Sequence, residues 1–135
     1  MRKIHRHAVA LFLSACLALP VMASQPESVL CHINYGGEPR VIEAAPVSTP
    51  YRVPAVEVGS YFLFRVVFEN QPREQAAIKT YTYASHARGP VLLHQASFPY
   101  PPPTGVTGRY GFTGLHFVYE SVRDGELQYW CEITK

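Results

Sequence analysis

Apolar and polar residues alternate with a period of two along most of this chain, and helical spacing is nearly absent. In Ser28 to Tyr35, Val29, Cys31 and Ile33 share one face. After the turn Tyr35-Gly36-Gly37-Glu38 comes Arg40 to Ala45, and then Arg52 to Glu57, whose bounding prolines predict an edge strand. Tyr61 to Glu69 has the strongest pattern, with Phe62, Phe64, Val66 and Phe68 on one face and Tyr61, Arg65 and Glu69 on the other. Ile78 to Ser85 alternates around Tyr81 and Tyr83, and Pro90 to Phe98 follows. Phe112 to Ser121 puts Leu115, Phe117 and Tyr119 opposite His116, Val118 and Glu120. Arg123-Asp124-Gly125 predicts a hairpin turn, because Asp-Gly accepts the positive φ such turns need. The last strand then groups Leu127, Tyr129, Cys131 and Ile133 against Gln128, Trp130 and Glu132.

One helix candidate stands out, Pro72 to Lys79, with Asn70 as a cap and proline early in the first turn. It is two turns at most, or equally a loop leading into a strand. Seven or eight short strands punctuated by Gly and Pro predict an all-β domain: a small immunoglobulin-like β-sandwich, or alternatively a small β-barrel. The Cys–Trp–Cys order of antibody-type domains is absent, since Trp130 is adjacent to the second cysteine.

The first 23 residues depart from this pattern. Arg2, Lys3 and Arg6 precede the apolar run Ala8 to Leu19, and Val21-Met22-Ala23 ends it, which predicts a secretory signal peptide cleaved after Ala23. The alternative is a lipobox, Leu13-Ser14-Ala15-Cys16, with lipidation on Cys16. Residues 24–135 then form a single exported domain, periplasmic or secreted, with no transmembrane segment. The leader also changes the charge. It removes three of 12 basic residues and no acid, leaving nine against 10 and a balance of −1 in place of +2. The remaining cations are scattered singly, which argues against nucleic acid as a partner.

Either processing route uses up Cys16 and leaves Cys31 and Cys131. Both lie on the apolar face of their strand, at opposite ends of the domain, and nothing resembles a redox Cys-x-x-Cys pair. They are expected to form a structural disulfide, as suits a small exported domain.

Candidate chemistry is sparse. No Gly-x-Ser-x-Gly setting, phosphate-cradling loop or facing carboxylate pair is legible, and the chain is expected to be non-enzymatic and free of cofactors. Glu120, Glu126 and Glu132 flank the last hairpin and are expected to be solvated. His94 and His116, with His32, form the alternative, a copper- or zinc-handling site, in which the first two could face each other. The most distinctive stretch is Phe98-Pro99-Tyr100-Pro101-Pro102-Pro103-Thr104-Gly105-Val106-Thr107-Gly108-Arg109-Tyr110-Gly111. It is stiffened by proline and carries residue types enriched at binding hot spots. Phe98, Tyr100, Arg109 and Tyr110, with Trp130 on the outer face of the last strand, are therefore the expected contact residues for an envelope protein or other periplasmic ligand.

Overall fold

The computed structural model describes residues 27–105 and 108–134, so the leader, its cleavage and Cys16 lie outside the described residues. Nine strands form: β1 (Ser28–Tyr35), β2 (Glu38–Ala44), β3 (Pro46–Val47), β4 (Val56–Val58), β5 (Phe62–Glu69), β6 (Ala77–Ala84), β7 (Val91–Pro99), β8 (His116–Glu120) and β9 (Gly125–Thr134). A four-stranded sheet has the order β2-β1-β9-β8. A five-stranded sheet has the order β3-β5-β6-β7, with β4 paired to β5. Among the described residues no strand of one sheet pairs with the other, so the barrel alternative is corrected to two open, stacked sheets.

The alternation explains the stack. Phe62, Phe64 and Phe68 of β5 and Leu127, Tyr129 and Cys131 of β9 are fully buried, each from the inward face of its strand. Cys31 and Cys131 are directly opposite in the β1–β9 register and form a disulfide of 2.07 Å. The bridge therefore ties neighbouring strands of one sheet, whereas an antibody-type domain ties its two sheets together.

Of the two readings of Pro72 to Lys79, the loop leading into a strand is the one found: a single 3₁₀ turn, Arg73–Gln75, after which Ala77 already pairs with Glu69. Two expected elements are corrected. Arg52 to Glu57 is a 3₁₀ turn, Pro50–Arg52, and an extended link before the three residues of β4, because Pro54 has no N–H to give a ladder. Phe112 to Ser121 becomes a strand only from His116, since Gly114 turns the chain at φ 73°.

Glu120 is also corrected: it is 1% exposed. Its carboxylate accepts the backbone N–H of Val122 at 3.1 Å and of Arg123 at 2.9 Å, and the Arg123 Nε at 3.2 Å. Arg123 in turn donates to the carbonyls of Ser85 and Tyr61 and lies 4.2 Å from the Tyr61 ring centre. Burial alone would raise the Glu120 pKa. The hydrogen bonds from Arg123 and Val122 and the guanidinium charge outweigh burial and hold it below the ordinary value. The carboxylate thereby holds Arg123 in place, and Arg123 ties the β8–β9 turn to residues at the ends of β5 and β6.

Candidate functional site

Because β1 and β9 pair with the cysteines opposite each other, the next rung sets His32 against Trp130 on the outer face. The two rings are stacked, 3.9 Å apart and 10° from parallel. His32 Nε2 lies 2.8 Å from a Glu132 carboxylate oxygen, which fixes the imidazole against the indole. Val41 of β2 stands beside His32, and Asn34 and Gln128 face each other two residues further along the strands. The disulfide thus lies one rung away, on the opposite face of the sheet.

The loop after the proline run completes this face. Strand β9 is longer than β8, so its second half would have a free edge. Residues 111–113 fill it: Phe112 N–H donates to the Cys131 carbonyl at 3.1 Å, and Cys131 N–H donates to Thr113 Oγ1 at 2.8 Å. Gly111 crosses so close, at φ 59°, that a Cβ there would sit 2.0 Å from the Cys131 carbonyl oxygen. Only glycine fits this approach. Its consequence is to carry Tyr110 to Trp130, with ring centres 6.2 Å apart at 67°, and the Arg109 guanidinium to 5.4 Å over the Tyr110 ring. A groove of about 540 Å³ results, lined among others by His32, Asn34, Arg40, Tyr110, Gln128 and Trp130. That volume is in the range of small-ligand sites.

The expected contact residues therefore divide. Arg109, Tyr110 and Trp130 come together on the outer face. Phe98 packs against Phe112 at 5.5 Å and His116 at 6.0 Å, and Tyr100 against Phe68 at 4.7 Å. The Tyr100 phenol donates to the Glu27 carboxylate, and that bond pushes its pKa up to about 12. Sequence reasoning missed Asn34, Arg40, Val41 and Gln128, and gave His32 no role on this face. The readable signal was register: once the cysteines are opposed, His32 must oppose Trp130, and Asn34 must oppose Gln128.

A second polar cluster lies between the sheets, where β7 and β8 leave the sandwich edge. Tyr129 Oη lies 2.8 Å from Thr80 Oγ1 and 3.0 Å from His94 Nε2. His116 stacks on Tyr129 at 4.8 Å, and its Nε2 donates to the Thr113 carbonyl at 3.0 Å. His94 and His116 do face each other, 5.3 Å between ring centres, while His32 is on the opposite face of β9's sheet, against Trp130. Among the described residues no three of His, Cys, Asp and Glu converge as metal ligands.

Burial, followed by the neighbouring His116, lowers the His94 pKa from its usual 6.5. The unfolded chain then binds more protons than the native one below that pH, so stability rises with pH across this range. The contribution is complete above about pH 6.5 and is lost as pH falls toward the lowered value. Melting temperature is expected to drop between pH 7.5 and 5.5, and His94→Gln to flatten that drop in thermal scans.

Comparison with protein-family models, with curated proteins and with solved structures returns no match for this chain.

Proposed function

We propose that this chain is a non-enzymatic binding domain of the bacterial envelope, exported through its leader, and that its contact surface is the outer face of the four-stranded sheet centred on Trp130. The observation that carries the reading is the convergence of Tyr110, Trp130 and His32 around one groove, with Arg109 over the Tyr110 ring. Aromatic and arginine side chains held on a rigid support are the usual anchors of binding sites. The support here is strong: two central strands, a disulfide one rung away, and a loop hydrogen-bonded to β9.

The non-enzymatic part rests on how the titratable groups are used. Glu120 holds a turn, His94 meets Tyr129, and His116 donates to a backbone carbonyl. Each is committed to a structural partner, His94 to a Tyr129 hydroxyl that is itself buried and bonded to Thr80. A periplasmic or secreted location fits the disulfide. Two stacked sheets, antiparallel except for the β3–β5 pair, support an immunoglobulin-like layering without that fold's inter-sheet bridge.

Capture from envelope extract tests the reading. Wild type and a Tyr81→Ala control on the outer face of the other sheet are expected to recover the same partner or ligand. A Tyr110→Ala/Trp130→Ala variant with wild-type circular dichroism is expected to lose it. Equal recovery by all three would remove the groove from the account.

A further inference from the structure

We infer that the ligand of this groove is a carboxylate-bearing saccharide, an inference that rests on the binding reading above. The floor of the groove is made by β1 and β9, the two central strands of the four-stranded sheet. Their backbone groups are bonded to β2, to each other, to β8 and to residues 111–113. An extended peptide adds to a sheet through a free edge, and this floor offers none. Recognition has to run through side chains.

Those side chains are of three kinds. Trp130 and Tyr110 make an aromatic corner at 67°, against which the C–H face of a pyranose ring packs. Asn34 and Gln128 stand directly opposite each other; Gln128 Nε2 spends one N–H on Glu126, and the remaining amide donors and acceptors can meet neighbouring hydroxyl groups. Arg40 lines the groove, with one guanidinium nitrogen donating to the Glu57 carbonyl and the others left for a ligand, and Arg109 lies over the Tyr110 ring. No carboxylate is among the described lining residues; of the nearby acids, Glu132 is engaged by His32 and Glu126 accepts from Gln128 Nε2 at 3.3 Å. A planar guanidinium matches a carboxylate in shape as well as charge. Aromatic corner, opposed amides and an arginine in the lining, with a second over Tyr110, together describe a hydroxylated ring carrying an acid.

Trp130 is the chain's only tryptophan, so its emission reports this groove directly. Titration of the full domain with trigalacturonic acid, at an ionic strength of about 0.15 M, is expected to shift that emission saturably. The neutral N-acetylglucosamine trimer is expected to bind about tenfold more weakly, the loss of one charged contact. Tyr110→Ala, and separately Asn34→Ala/Gln128→Ala, keep the reporter and are expected to weaken the acidic trimer by about tenfold or more. The inference is overturned if the acidic trimer gives no saturable change up to about 10 mM, if the neutral trimer binds equally well, or if a proline-rich peptide binds more tightly than either. If the saccharides fail while envelope capture still depends on Tyr110 and Trp130, only the ligand class is wrong. If that dependence also fails, the groove reading falls with it.

Discussion

Replacing Cys31 and Cys131 together with alanine should lower the unfolding free energy by about 2–5 kcal/mol, read from urea transitions under non-reducing conditions. The two residues are 100 positions apart, so the bridge closes a loop spanning nearly the whole domain. In the chain-entropy model such a loop contributes up to about 4.7 kcal/mol, acting on the unfolded state. Domains of this kind have roughly 5–15 kcal/mol in total, so the loss would take a large share. Alanine is the right probe because both sites are fully buried and a serine hydroxyl there would need a partner. The effect should reach the groove as well. His32 and Trp130 occupy the adjacent rung, so the emission of Trp130 should shift in the variant while it is still folded. Titration of two free thiols in the purified wild-type domain would contradict the bridge outright.

The second large effect is expected at Gly111. An alanine Cβ would fall 2.0 Å from the Cys131 carbonyl oxygen, in a backbone conformation that side chains rarely adopt. Left-handed strain alone costs about 1–3 kcal/mol, and this clash is with backbone, which cannot swing away. Gly111→Ala should therefore cost at least about 2 kcal/mol or release residues 108–113 from β9. In the second case the Phe112 and Cys131 amides, bonded to one another's segments in the native fold, should lose hydrogen-exchange protection. Gly105→Ala is the control. Its φ is also positive, at 96°, but a Cβ there meets nothing within 4 Å. A Gly111→Ala variant as stable as the wild type, with both amides protected, would show that the loop does not dock on β9.

Much of the fold was legible because strand periodicity is a local property. β1 and β9 begin within a residue or two of their predicted starts, and the inward faces of β1, β5 and β9 follow directly from alternation. The disulfide was legible because both cysteines share the phase of apolar neighbours. What failed depended on long-range partners. Glu120 reads as a surface acid, and nothing local says that Arg123 and two amides will satisfy it in the interior. The alternation around Tyr81 and Tyr83 does not say which face of β6 is inward; it is the face of Thr80 and Thr82, both fully buried, Thr80 against Tyr129. The site was half legible. Tyr110, Arg109 and Trp130 stand out by type, but their convergence depends on Gly111 crossing β9, a contact between segments 20 residues apart. Phe98 and Tyr100 have the same hot-spot chemistry and are used in packing instead. Composition does not distinguish the two fates, because an aromatic ring serves a core as well as it serves a contact surface.

The central claim is that the Trp130 face meets the partner. The most direct measurement is photo-crosslinking in intact cells from benzoylphenylalanine placed at Val41, which is 53% exposed on the groove's rim. The same group at Tyr83, on the outer face of the opposite sheet, serves as the reference. The account predicts an adduct from position 41 that is competed away by trigalacturonic acid, and none from position 83. An adduct from position 83 alone, or equal adducts from both, would contradict it.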